Sequence, residues 1–119
     1  MKECIFCEIV SKEASAKIIF ENEIVLAFKP LHQISKGHTL VVPKKHFESI
    51  FDIDKDILEK LIAVSKDLSE QLVKEHNATG INLLHASGKD AQQSVFHFHF
   101  HIVPRYKNDS LDLWLREKL

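Results

Sequence analysis

The 119-residue sequence predicts an α+β domain in which an antiparallel sheet packs against one long helix. Three observations carry that prediction. β-prone runs lie on both sides of a single long amphipathic pattern. Neighbouring runs are joined by short loops rather than helical crossovers, which favours antiparallel pairing. One run, Ser94 to Val103, alternates histidine with apolar residues, the period of a strand with two unlike faces.

Phe6 to Ser11 has the pattern of a short amphipathic helix, placed just after Cys4-Ile5-Phe6-Cys7. Lys17 to Phe20 is β-prone, Glu21-Asn22-Glu23 is polar and turn-like, and Ile24 to Phe28 is apolar again, which together read as a hairpin broken by Pro30. Gly37 punctuates the chain before the strand His38 to Val42, and Pro43 closes it. From about Lys55 to Lys74, Ile57, Leu58, Leu61, Ile62, Leu68, Leu72 and Val73 fall on one helical stripe. Asp52 or Asp54 is placed to cap its start, and Asn77 and Gly80 supply stop signals. Ile81 to Leu84 reads as a strand, Ser87 to Gln93 as a polar hairpin connection, and Val95 to Val103 as the last strand, closed by Pro104. The tail carries Leu111, Leu113, Trp114 and Leu115, too apolar for a disordered end.

No repeat, linker or composition break divides the chain, so residues 1–119 read as one domain of 13.7 kDa. Sixteen Lys and Arg against 17 Asp and Glu give a formal net charge of -1, which argues against a protein that clamps nucleic acid through its phosphates. A small anionic ligand held by local donors stays open. Two cysteines, both in Cys4-Ile5-Phe6-Cys7, cannot form a disulfide framework, and their two-residue gap suits a metal knuckle or a redox dithiol. Neither a signal-length apolar run nor the roughly 20 apolar residues of a membrane span is visible, so the default reading is a cytoplasmic protein without a membrane. The unusual number is the 8 histidines.

In the strand Val95 to Val103, His97, His99 and His101 share one face, and Phe96, Phe98, Phe100 and Ile102 share the other. Three readings of the imidazole row compete. It is a polar outer face that happens to use histidine. It is a metal site, although alternate positions on one strand do not readily converge on one ion. Or it is catalytic. Imidazole is a good nucleophile near neutrality, can be held in one tautomer by a backbone carbonyl, and can position an anionic group. A phosphoryl group needs such a nucleophile in line with its leaving group, with donors on its oxygens.

His97-Phe98-His99-Phe100-His101-Ile102-Val103 resembles the His-x-His-x-His-x-x signature of the histidine triad (HIT) superfamily, in which x is apolar. Gln93-Ser94-Val95-Phe96, Cys4-Ile5-Phe6-Cys7, Leu26-Ala27-Phe28 and the segment Gly37 to His46 resemble the family too, in the family's order, so the likeness runs from Cys4 to Arg105. The nearest resemblance is to the compact Hint-like branch of nucleotide phosphoramidases and AMP-lysine-type hydrolases. It implies a five-stranded antiparallel sheet with one long and one short helix, and a homodimer with a continuous ten-stranded sheet. It also implies a two-step reaction. His99 attacks the α-phosphorus of a nucleotide, and water then releases nucleoside monophosphate from the nucleotidyl-histidine. His101 and His38 contact the phosphate or orient its neighbours, and Ser94 assists the leaving group. Gln93 and Ser94 fall in the substrate-binding segment. The alternative, read from the residues alone, is that Ser94 is a turn residue and His38 a polar residue at a strand start.

In zinc-bearing HIT proteins a similar cysteine pair joins two histidines, here His46 and His97, so the resemblance implies a structural zinc on Cys4, Cys7, His46 and His97. The alternative is that both cysteines are small buried hydrophobes. If zinc takes His97, the catalytic set is His38, Ser94, His99 and His101.

The sequence departs from the Hint pattern at three places. Pro30 stands where an acidic residue usually contacts the ribose, Ala86 where Asn is common, and Gln92 where Gly often precedes Gln-Ser. His32 and His85 are candidate substitute contacts or ordinary surface histidines, and His76 reads as a helix C-terminal residue favoured by the helix dipole. Phe6, Ile9, Phe28 and Leu31 are placed either to sandwich a purine base or to pack the core, and Trp114 to pack on a dimer partner. The leading functional expectation is a phosphoramidase-like hydrolase of an adenosine or guanosine monophosphate derivative, without an organic cofactor. The alternatives are a dinucleoside polyphosphate hydrolase or nucleotidyl transferase, a nucleotide-binding regulatory or scaffold protein with residual activity, and a zinc-stabilised interaction module.

Overall fold

The computed structural model describes residues 3–115. The elements follow the chain as α1 (Ile5–Val10), β1 (Ile18–Glu21), β2 (Val25–Phe28), β3 (Thr39–Pro43), α2 (Lys55–His76), β4 (Gly80–Leu84) and β5 (Phe100–Arg105). The five strands form one sheet in the order β1-β2-β3-β5-β4, with every neighbouring pair antiparallel. The expected α+β class and five-stranded sheet with one long and one short helix are thus present.

The hairpin turn between β1 and β2 is made by Asn22, whose side-chain oxygen accepts from the backbone N–H groups of Ile24 and Val25. Helix α2 ends at Asn77, which adopts the left-handed conformation at φ 57° and returns its N–H to the Val73 carbonyl. Asp54 stands at its N-cap without a side-chain cap bond, and Asp52 caps Glu48 and Ser49 in the preceding loop instead. A helix start without a side-chain cap bond is tolerated because Leu61, Leu68 and Leu72 bury the helix against the sheet. Ile62, expected on the buried stripe, is exposed.

Both sheet faces are covered. On one, Leu61, Leu68 and Leu72 of α2 pack on Val25, Ala27, Val41, Phe98, Phe100 and Ile102. On the other, Phe6 and Ile9 of α1, with Cys4, pack on Leu26, Phe28, Leu40 and Val42. Central strands β2 and β3 are therefore buried along their whole length.

The last strand is shorter than its sequence pattern. Hydrogen-bonded pairing begins at Phe100, and Val95 to His99 approach the sheet without joining the ladder. The alternation nevertheless persists. Phe98, Phe100 and Ile102 enter the α2-side core, whereas the His97 and His99 rings meet Phe6 on the α1 side. Phe96, expected on the apolar face, is 47% exposed because it precedes the covered part of the sheet. Among the described residues no helix is long and apolar enough to cross a membrane.

Candidate active site and metal centre

Seven residues named from the sequence fall into two adjoining groups on the α1 side of the sheet, a metal cluster and a histidine row. The metal cluster joins the start of α1 to the segment after β3 and the approach to β5. The Sγ of Cys4 lies 3.3 Å from Nδ1 of His97, and the Sγ of Cys7 lies 3.3 Å from Nδ1 of His46 and 3.5 Å from Nδ1 of His97. The two Nδ1 atoms are 3.2 Å apart, and all four donor atoms lie within 4.8 Å of one another. A tetrahedral centre with metal–sulfur bonds of about 2.3 Å and metal–nitrogen bonds of about 2.0–2.1 Å has edges of about 3.3–3.8 Å. The spacing therefore fits one ion.

Proton placement agrees with the spacing. His97 is fully buried, and its Nε2 lies 2.8 Å from the carbonyl oxygen of Pro43. A carbonyl only accepts, so Nε2 carries the hydrogen. Burial, the largest cause, holds His97 down to about 4, so the ring is neutral at physiological pH and its Nδ1 lone pair faces the two sulfurs. Burial, followed by the hydrogen bond and proximity of Cys4, pushes the Cys7 thiol up to about 11. A bound divalent cation inverts that preference, because a ligating thiol loses its proton. Cys4, Cys7, His46 and His97 thus form a cluster that could hold a metal ion.

The histidine row begins where the cluster ends. Nδ1 of His99 lies 2.8 Å from the His97 carbonyl oxygen and must donate to it, which leaves the lone pair on Nε2 of His99. His99 is buried, and that burial lowers its proton affinity. At the next strand position, Nδ1 of His101 lies 3.0 Å from Nε2 of His38. The Ile34 N–H donates to Nδ1 of His38 at 3.2 Å, so the His38 hydrogen is on Nε2 and points at His101. His101 consequently carries its own hydrogen on Nε2, free for a ligand. Burial lowers both rings, His101 to about 4, so this tautomer chain holds across neutral pH.

The remaining candidates are distributed differently. Ser94 is exposed and lines a cavity of about 370 Å³ with Cys4, His46, Glu48 and Phe96. Gln93 is buried. Its amide nitrogen donates to the carbonyls of Glu48 and Val95, and its Oε1 accepts from the Gly88 N–H. That amide therefore shapes the loop that carries Ser94, which a sequence reading of the segment as substrate-binding does not anticipate. Phe6 and Phe28 pack edge to face at 5.4 Å inside the α1-side core, and the Phe6 edge also meets the His97 and His99 rings. Leu31 is 92% exposed in the loop before Ile34.

Two of the three histidines without a clear role in the sequence have contacts here. The His76 ring packs where a Cβ at Gly37 would sit, and His85 lies between Ser87 and the His99 carbonyl. His32 is exposed.

Comparison with known proteins agrees with this geometry. The HIT domain family model matches residues 11–108. An uncharacterized HIT-like protein of Borreliella burgdorferi is 40% identical over all of this chain and 87% of its own length. An adenylylsulfatase HINT3 of Arabidopsis thaliana is 30% identical over 98% of this chain and 58% of its own length. The crystal structure of a zinc-bound histidine triad family protein from Mycobacterium smegmatis superposes with a TM-score of 0.89 at 36% identity, covering 94% of this chain and 81% of that one. The structure of SMU.412c from Streptococcus mutans gives a TM-score of 0.94 at 34% identity over 100% of this chain and 76% of that one. A match over most of the chain, with the triad histidines side by side on one sheet face, means that the chain belongs to the HIT family.

Proposed function

We propose that this protein is a nucleotide hydrolase of the phosphoramidase type, cleaving at the α-phosphorus through a nucleotidyl-His99 intermediate. The observation that carries the reading is the bond from His99 Nδ1–H to the His97 carbonyl, which leaves Nε2 unprotonated as nucleophile. Nε2 attacks phosphorus, and the bond from phosphorus to the leaving nitrogen or oxygen breaks with its electron pair. The leaving atom takes a proton, held for it by the Ser94 hydroxyl. Water then attacks the same phosphorus and returns a proton to the Ser94 oxygen, the phosphorus–Nε2 bond breaks, and nucleoside monophosphate departs with the lone pair restored to His99. His101 Nε2–H, fixed by His38, donates to a phosphoryl oxygen in both steps. Phe6, Phe28 and Leu31 line the side on which the base would lie, with Leu31 the exposed member.

We assign zinc to Cys4, Cys7, His46 and His97 on the chemistry of the donor set, two thiols and two imidazole Nδ1 atoms at tetrahedral spacing. Zinc in that closed set is structural and supplies a fixed end to the approach to β5. A homodimer through the edge strand β4 is the matching assembly, supported by exposed Leu83 on β4 and Ile62 on α2.

The test is turnover of a fluorogenic adenosine phosphoramidate by the wild type and by His99→Ala, with intact-mass detection of the adenylylated protein. Turnover and adduct that vanish together in the variant support the reading. Nucleotide binding without wild-type turnover replaces it with a binding-only protein, a reading favoured by Pro30 in place of a ribose-contacting carboxylate.

A further inference from the structure

Resting on the nucleophile assignment above, we propose that His85 and Ser87 are positioning residues that hold the main chain of His99 where the sheet does not. His99 sits one residue before β5, so no ladder bond from β4 reaches its carbonyl. The last pair of that ladder is Leu84 with His101. His85, the next residue after β4, takes over with its side chain, and its Nδ1 lies 3.0 Å from the His99 carbonyl oxygen. Because a carbonyl only accepts, His85 Nδ1 is the donor.

The other ring nitrogen shows how that tautomer is fixed. Nε2 of His85 is bonded to the Ser87 hydroxyl. The same hydroxyl oxygen accepts from the Ile50 N–H at 2.8 Å, so its own hydrogen is free to turn toward His85. The sequence of donors is then Ile50 N–H to Ser87, Ser87 O–H to His85, and His85 Nδ1–H to the His99 carbonyl. The ring is clamped by stacking on Phe98 at 4.3 Å with an interplanar angle of 27°, and Phe100 meets its edge at 5.6 Å. His85 therefore holds the carbonyl of the nucleophile and packs on the side chains of both its neighbours, Phe98 and Phe100, with both ring nitrogens already bonded. The His99 ring is fixed through Nδ1 to the residue before Phe98, and its main chain through His85 to β4. A nucleophile so held reaches phosphorus in one geometry, and small displacements at such a group carry large rate penalties.

The experiment uses the full chain with its metal as purified, and compares wild type, His85→Phe, His85→Asn and Ser87→Ala. His85→Phe keeps the stack on Phe98 and removes both ring nitrogens. His85→Asn keeps an N–H donor near the Nδ1 position. With adenosine phosphoramidate, His85→Phe is expected to slow adenylyl-His99 formation by about tenfold to a hundredfold. Its KM stays within about twofold, and His85→Asn recovers the rate to within about threefold of wild type. An unchanged rate in His85→Phe overturns the proposal. So does an equal loss in both variants that follows their loss of thermal stability, which is what a merely structural role predicts.

A second readout does not need turnover. Long-range ¹H–¹⁵N spectra of the imidazoles at neutral pH are expected to show His85 as the Nδ1–H tautomer, with its Nε2 resonance shifted in Ser87→Ala. An Nε2–H tautomer, or a ring averaging between the two, overturns the proposal for any substrate. A wild type that fails to turn over the phosphoramidate removes the hydrolase reading and leaves the positioning proposal to be decided by these spectra.

Discussion

The Nδ1–H of His99 donates to the carbonyl oxygen of His97 at 2.8 Å, so the residue proposed as nucleophile is oriented by the backbone of a residue in the metal cluster. His97 is itself held at both ring nitrogens, by the Pro43 carbonyl at Nε2 and by the donor cluster at Nδ1. Its carbonyl is therefore as fixed as its ring. The cluster that could hold a metal ion and the proposed nucleophile are thus joined by one peptide unit.

That junction makes metal removal a catalytic as well as a structural perturbation. Cys4→Ser is expected to lose the ion and about 3 kcal/mol or more of stability. Metal analysis of wild type should return about one zinc per chain. Where the variant remains folded, adenylyl-His99 formation should fall by more than binding does. Wild type purified without chelator and lacking stoichiometric metal would count against the cluster as a zinc site.

The His38–His101 pair makes stability depend on acid pH. His101 has a folded-state value of about 4 against an ordinary 6.5, mainly through burial, then through His99, His38 and His85 nearby. Its depressed value means that the unfolded chain binds the proton more readily. Stability is fully present above about 6.5 and is lost as pH falls from there toward 4. The loss due to His101 is on the order of 1–3 kcal/mol, reduced by its partial exposure. Urea unfolding of wild type and His101→Asn between neutral pH and pH about 4 measures it. The variant keeps an acceptor for His38 and should show a flatter profile, and parallel profiles would remove His101 as the source.

Gln93 gives a third expectation, about loop architecture. Gln93→Leu leaves the Gly88 N–H and the Glu48 and Val95 carbonyls without their side-chain partner. A cost of about 1–3 kcal/mol is expected. Gln93→Glu should cost at least as much, because a carboxylate would face two carbonyl oxygens. Thermal unfolding of the two variants checks the order, and a Gln93→Glu protein as stable as wild type would contradict it.

Much of this arrangement was legible in the residues. Short polar connections gave an antiparallel sheet, and the periodic leucines of α2 gave its buried stripe. The His97–His99–His101 alternation placed the three imidazoles on the side opposite Phe98 and Phe100 even though only His101 lies within the paired strand. The alternation survives outside the ladder because Phe98 is buried under α2 and forces its neighbours to the opposite side. What stayed hidden depends on the third dimension. Nothing in the spacing of Pro43 and His97, or of His85 and His99, announces that side chains and carbonyls meet there. Gln93 looked like a ligand-binding amide because its partners, Glu48 and Val95, come together only on folding. Asp52 and Asp54 were indistinguishable as caps, since the choice rests on where the loop from Phe47 turns.

Gly37 tests how closely the start of β3 is packed. It adopts φ +90°, a conformation that L side chains rarely take, and it immediately precedes His38. A Cβ there would approach His76 Cδ2 to 2.9 Å and Pro104 Cγ to 3.1 Å. The imidazole at the end of α2 can shift by a few tenths of an ångström, but the proline ring on β5 cannot turn away, and the backbone strain remains whichever neighbour yields. Gly37→Ala is therefore expected to lose about 1–3 kcal/mol. The strain is transmitted to the bond between Ile34 N–H and His38 Nδ1, three residues from the substituted position on the loop side. The ¹⁵N resonances of His38 and His101 should shift together in this variant, because their rings share one hydrogen bond. A destabilised Gly37→Ala protein with both resonances unmoved would show that the loop absorbs the strain before it reaches the histidine pair.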